Sequence, residues 1–240
     1  MAVLIVIPAY NEEEALPGVL KELAALVPEH DVLVVDDGSL DATSHVAREA
    51  GVTVAPLPFN LGIGGALRTG FRYAVEHGYD RVVQFDADGQ HDPEEIATLL
   101  RSLDERADLV VGSRFASEET CYDISRVRSG AMRFLGVMVK ALSGRRFSDT
   151  SSGFRGFSRP MLEFFARSYP VEYMDSVEAL LLACYAGFTI VETPVAMRHR
   201  SGGVASNRNL RLLFHFLRLL VVMLTTAPLR GRRARRALPA

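Results

Sequence analysis

The sequence predicts an α/β domain built on a doubly wound, mostly parallel sheet, with an amphipathic helix at its C-terminal end. Three observations carry this. Apolar runs without polar alternation recur, as strands covered on both faces require. Between them lie segments with the 3.6-residue spacing of amphipathic helices. Each run also ends abruptly in a polar cluster, and in such sheets ligands sit outside the carboxyl ends of the strands.

The elements follow in order. Val3–Ile7 is the first buried run, and Glu12–Leu26 reads as a helix with apolar residues at Ala15, Leu16, Val19, Leu20 and Leu23. Val32–Val35 is the second strand, and Asp41 is placed to cap a helix over Ala42–Ala50. Val52–Leu57 is a third strand, followed by a glycine-rich turn and a helix over Ile63–His77. Arg81–Phe85 is a fourth strand. Pro93 introduces a helix over Glu94–Leu103, and Asp108–Gly112 is a fifth strand. Repeated units of this length imply parallel strands joined by right-handed crossovers. The second half is less regular, with helical spacing over Arg126–Leu142, a polar loop over Ser148–Arg155, a helix over Asp175–Ala186 and a strand over Thr189–Pro194.

With 240 residues and 48% hydrophobic content, the chain is long enough to bury a core unaided. Two cysteines, Cys121 and Cys184, are too few for a disulfide scaffold and read as buried thiols of a reducing compartment. The formal net charge of −2 excludes a nucleic-acid-coating protein, but it hides an asymmetry. No acidic residue follows Glu192, whereas ten arginines do, so the first 192 residues carry −12 and the last 48 carry +10. Met1 leads straight into a strand-like run with no basic stretch before it, which argues against a signal peptide. The uncharged part of the last apolar segment, Leu219–Leu229, has 11 residues where a membrane span needs about 20. A cytoplasmic location is expected.

Asp86 and Asp88 stand two apart at a strand end, so in extended backbone their carboxylates point the same way. With Gln90, and with His91 as a further candidate, they form an oxygen-rich set suited to Mg²⁺ or Mn²⁺. The Asn60–Gly65 turn either offers helix N-terminal amides to an anion or lets the helix approach the sheet closely. It lacks the Gly-Lys-Ser/Thr of a nucleoside-triphosphate loop. Arg114, Arg126, Arg128, Arg133 and Arg155 supply positive charge near the expected cleft, where a planar fork grips phosphate.

These segments, in this order, resemble inverting glycosyltransferases of family 2: LIVIPAYNEE (4–13), VVDDGSLDAT (34–43), NLGIGGALRTG (60–70), FDADGQHDP (85–93), VGSR (111–114) and DTSSGFRGF (149–157). Within that family the likeness is greatest to dolichyl-phosphate mannose synthases and bacterial polyprenyl-phosphate hexosyltransferases, over roughly residues 3–200. The resemblance implies the GT-A fold over residues 1–205; beyond it the residues themselves read as a separate amphipathic helix and basic tail over 206–240. It implies that Pro8, Ala9, Tyr10, Glu12, Asp37, Gly65, Asp86, Ala87 and Asp88 bind a GDP- or UDP-linked sugar. Asp86, Asp88 and Gln90 would carry the metal, and Asp88 and Arg114 would serve catalysis. Arg114, Arg126, Arg128, Ser152 and Arg155 would line the acceptor site, for a hexose passed to a polyprenyl phosphate.

The acceptor class stays open at this point. An anionic lipid phosphate needs arginines more than a base, whereas a hydroxyl acceptor needs a general base. Asp175 sits where hydroxyl-using relatives keep theirs, yet with Glu178 three residues on it also fits a capping box. The chain has no Trp, so the Gln-x-x-Arg-Trp motif of processive synthases is absent. Pro8–Glu12 is unlike the glycine- and arginine-rich loop of a sugar-nucleotide pyrophosphorylase. Arg211, His215 and Arg218 form one polar stripe on an otherwise apolar helix, followed by RGRRARR (230–236). That pattern fits peripheral contact with the inner face of a membrane. A homodimer contact or a small membrane-protein partner is the alternative use of that helix.

Overall fold

The computed structural model describes residues 1–105, 107–115, 126–170 and 175–198, and for 126–134 and 175 the backbone alone. Cys121, the basic loop after Arg198 and the whole 206–240 segment expected to be a separate unit lie outside the described residues. Seven strands form one sheet in the order β3-β2-β1-β4-β6-β5-β7. They are β1 (Val3–Ala9), β2 (Asp31–Asp36), β3 (Thr53–Pro56), β4 (Arg81–Gln84), β5 (Leu109–Ser113), β6 (Arg155–Ser158) and β7 (Ile190–Pro194). All neighbours are parallel except β6, which runs antiparallel between β4 and β5.

The helices are α1 (Leu16–Leu26), α2 (Thr43–Glu49), α3 (Ile63–Glu76), α4 (Ile96–Asp104), α5 (Arg126–Ser143), α6 (Arg159–Ser168) and α7 (Asp175–Ala186). The strands bury apolar side chains on both faces, so the core has two layers. One packs α3, α6 and α7 through Leu67, Phe71, Leu162, Phe165 and Leu180. The other packs α1 and α4 through Leu16, Leu20, Leu23, Ile96 and Leu99. Helix α3 lies close to the sheet because Gly70 has no side chain, and a Cβ there would stand 2.4 Å from Val6 Cγ1.

Two expectations are corrected. The first helix starts at Leu16 rather than Glu12, because Asn11–Glu13 bond to the loop after β2 instead of to a helix. Residues 148–155 are not only a loop, since Arg155 opens β6 and α6 follows directly. Strand β6 is four residues long and begins with a charged side chain, so no apolar run marks it. Asp41 does serve α2: its Oδ1 accepts the Thr43 amide at 3.0 Å.

Candidate active site

Four strand ends and the loop entering β6 meet at the carboxyl edge of the sheet. The register sets Ala9 beside Asp36 and Val6 beside Gln84, so residues 8–12, 36–39 and 85–91 leave the sheet side by side. Antiparallel β6 starts where its neighbours end, with Arg155 opposite Gln84 and Val111, and this brings residues 148–154 to the same edge.

The loops after β1 and β2 are stitched together. Asn11, at φ 54°, accepts the Leu40 amide on Oδ1 at 2.8 Å, and its own amide donates to Ser39 Oγ at 2.9 Å. Asn tolerates this left-handed backbone better than a branched residue. The Glu12 amide donates to Thr43 Oγ1 at 2.9 Å. The stitching fixes Pro8, Ala9 and half-exposed Tyr10 beside Asp37. Tyr10 is 42% exposed.

Asp37 is buried, and its Oδ1 accepts the Leu61 amide at 2.7 Å. Burial holds its carboxyl above the ordinary range, against the pull of the Leu61 and Gly62 amides. Gly38 is required beneath this contact, since at φ 72° its missing Cβ would stand 2.6 Å from the Phe59 carbonyl carbon. Gly65 is buried in the first turn of α3, where its Cβ would meet Leu61 Cβ at 2.5 Å and its amide already donates to the Gly62 carbonyl. Gly65 thus serves close packing, and the turn's Leu61 amide is given to Asp37.

At the end of β4 the chain turns through Asp86–His91. Asp88 Oδ1 accepts the Gln90 amide at 3.1 Å. The Asp86 amide donates to His91 Nδ1 at 3.0 Å, and His91 Nε2 lies 3.5 Å from Asp86 Oδ2. The His91 ring stacks on Phe154, with centroids 4.7 Å apart, and meets Phe85 edge-on. Burial brings the His91 pKa down to about 4, with the Arg114 charge adding to this and the Asp88 charge opposing it. Across the cleft Gly153 makes room for Asp86: a Cβ at 153 would stand 2.7 Å from Asp86 Oδ2.

Arg114, after β5, forms a two-point ion pair with Asp149, which is fully buried. Arg114 Nη2 also donates to Ser151 Oγ at 3.2 Å. Burial pushes the Asp149 carboxyl up, but the Arg114 hydrogen bonds and charge outweigh it, so the group sits below its ordinary range. Glu192 on β7 accepts the Ser148 and Asp149 amides at 2.8 and 3.0 Å, which holds this loop from beneath.

Sequence reasoning named Asp86, Asp88, Gln90, Asp37 and Arg114, and the fold brings them to one edge. Ser152 and Arg155, expected to line the acceptor site, lie inside the loop rather than on its surface. Arg155 is fully buried and spends its guanidinium on the carbonyls of Ser152, Ser176 and Thr150. Ser152 is buried and accepts the Phe154 amide. Both brace the loop from inside. Arg126 and Arg128 lie in the first turn of α5, and Asp175 opens α7; the described structure of these three stops at the backbone. Asp149 and Glu192 were missed. The signal lay in Asp149-Thr-Ser151, because an aspartate two residues before a serine folds back on its amide.

A donor set of two carboxylates and one amide oxygen, with Asp86 seated in the space at Gly153, fits a hard divalent cation. Among the described residues no cluster of three or more His, Cys, Asp or Glu could hold a metal alone. Among the described residues no helix is long and apolar enough to cross a membrane.

A mostly parallel sheet with paired carboxylates at its carboxyl edge, facing a clamped arginine, is the layout of a GT-A fold glycosyltransferase. The chain belongs to glycosyl transferase family 2, whose pattern matches residues 4–165. It is 33% identical over 218 residues to a polyprenol monophosphomannose synthase of Mycolicibacterium smegmatis, covering 87% of this chain and 82% of that one. It is 34% identical to an undecaprenyl-phosphate mannosyltransferase of Micrococcus luteus, covering 85% and 86% of the two chains. Glucosyl-3-phosphoglycerate synthase of Mycobacterium tuberculosis, solved with Mg²⁺ and UDP, shares the fold with a TM-score of 0.73 at 24% identity, covering 94% of this chain and 79% of that one.

Proposed function

We propose that this family 2 glycosyltransferase is inverting and metal-dependent, and that it passes a hexose, mannose or glucose, from a GDP- or UDP-linked donor to a polyprenyl phosphate. The observation that carries the reading is the likeness, along more than four-fifths of their lengths, to two enzymes named for polyprenyl-phosphate mannosyl transfer. Asp86, Asp88 and Gln90 would hold Mg²⁺ or Mn²⁺, whose chemistry here is Lewis-acid stabilisation of the departing diphosphate. Tyr10, Glu12 and Asp37 line the nucleoside end, next to the stitched loops.

The acceptor phosphate oxygen attacks the anomeric carbon, and the bond from that carbon to the diphosphate oxygen breaks in the same displacement, inverting the centre. The acceptor oxygen is already an anion, so no base has to take a proton from it. Arg114 faces that anion and is held in orientation by Asp149, while Arg126 and Arg128 add positive charge from the start of α5. The 206–240 segment would keep the enzyme on the inner face of the membrane through its apolar sequence and arginine tail.

The test is transfer from a panel of GDP- and UDP-hexoses, with Mg²⁺ or Mn²⁺, onto a short polyprenyl phosphate in detergent. An organic-phase glycolipid with inverted linkage is expected, and Asp88→Ala should abolish it with the fold intact. Donor hydrolysis with no lipid product would overturn the acceptor. Full activity with chelator present would overturn the metal.

A further inference from the structure

Strand β4 gives its last ladder bond at Phe85, whose amide donates to the Val6 carbonyl at 3.0 Å. The next amide, that of Asp86, is taken by His91 Nδ1 at 3.0 Å. A backbone N–H only donates, so Nδ1 must accept, and the ring proton belongs on Nε2. That nitrogen stands 3.5 Å from Asp86 Oδ2, just beyond a normal N–H···O length. One imidazole therefore holds the Asp86 main chain and stands beside its carboxylate.

The imidazole is itself immobilised. Phe154 stacks on one face of it, and Phe85 closes it edge-on. Its main chain pairs with Met197 in an isolated antiparallel bridge, and the Arg198 amide donates to the Gln90 carbonyl at 2.8 Å. Arg198 then reaches Asp92 at 3.1 Å and Glu22 at 2.6 Å. The chain after β7 thus straps down the turn that carries both carboxylates.

We infer that His91 is a positioning residue of the donor site, fixing the main chain and the carboxylate of Asp86 in the orientation that receives the divalent cation. The inference rests on the metal-dependent reading above. A ring present for packing alone would be served equally by Phe among Phe85 and Phe154, whereas only an acceptor at Nδ1 ends β4 in this way.

The experiment follows the free Mn²⁺ signal by electron paramagnetic resonance as full-length protein is added, with UDP or with GDP present, for wild type, His91→Phe, His91→Asn and His91→Gln. Asn places an acceptor near the Nδ1 position; Gln places its amide near Nε2. His91→Phe is expected to keep its circular dichroism and to bind Mn²⁺ about 10- to 100-fold more weakly, the usual effect of losing a group that orients a metal ligand. His91→Asn is expected to recover part of that loss, and more of it than His91→Gln. Wild-type Mn²⁺ affinity in a folded His91→Phe would overturn the inference. Should His91→Phe fail to fold, equal, wild-type affinity in His91→Asn and His91→Gln would overturn it instead. A wild-type chain that leaves the Mn²⁺ signal unchanged with either nucleotide would remove the metal reading itself, a result separable from any variant effect.

Discussion

Arg114 and Asp149 meet at two points, Nε to Oδ2 at 2.8 Å and Nη2 to Oδ1 at 3.1 Å, and Asp149 has no solvent exposure. The pair joins the end of β5 to the loop that enters β6. Removing one partner of a buried pair strands the other, at a cost of about 3–5 kcal/mol. Asp149→Asn keeps the shape and some hydrogen bonding, so it is expected at the lower end of that range. Transfer should fall more than donor binding does, because the freed arginine no longer keeps its orientation; steady-state kinetics with separate donor and acceptor KM values checks this.

The same pair sets a pH dependence. Asp149 lies below its ordinary carboxyl range in the folded protein, so the unfolded state takes up its proton first as pH falls. Its contribution is fully present above about pH 4, the unfolded value, and is lost as pH drops through the folded value. Melting curves of wild type and Asp149→Asn should therefore converge on acidification below about pH 4.

Gly153→Ala places a methyl 2.7 Å from Asp86 Oδ2, closer than carbon and oxygen can stand. The carboxylate has to move while the fold survives. Mn²⁺ affinity in the presence of nucleotide is expected to drop with little change in melting temperature. Unchanged affinity would show that Asp86 has room to spare.

Gly70→Ala tests the scaffold apart from the site. Its Cβ would stand 2.4 Å from Val6 Cγ1, so α3 must lift from the sheet. Overpacking of this kind costs about 1–3 kcal/mol. The expected result is a lower melting temperature, with transfer per folded molecule close to wild type.

Arg155→Met removes a buried guanidinium bonded to three carbonyls. Those carbonyls lose their donors, and hydrogen bonds from a charged group are worth about 1.5–3 kcal/mol each. A large loss of folded protein on denaturant titration is expected. A folded variant altered only in acceptor KM would restore the direct acceptor role that burial argues against.

The β-α order of the first half was legible because each buried strand is a continuous apolar run, and the polar clusters that end those runs fall at the edge where ligands bind. Asp86 and Asp88 could be placed from that alone. Strand β6 could not, since its stability comes from pairing on both sides and from a guanidinium that bonds main chain rather than water. The Arg114–Asp149 pair was illegible for a related reason: residues 35 apart meet only once β6 has inserted between β4 and β5. Arg155 was misread because arginine in a glycine loop looks exposed in sequence, and only the packed loop shows where its donors go.

Because β6 runs against its neighbours, the segment that faces Asp86 is anchored downstream, by the strand it leads into. Chain length between Phe115 and Ser148 can then grow or shrink without shifting the register of Arg155 against Gln84 and Val111. On the proposed assignment, the half of the cleft that would hold the donor is insulated from changes in the half that would meet the acceptor. Such a scaffold could be re-aimed at new acceptors by altering one connection while the carboxylate pair stays put.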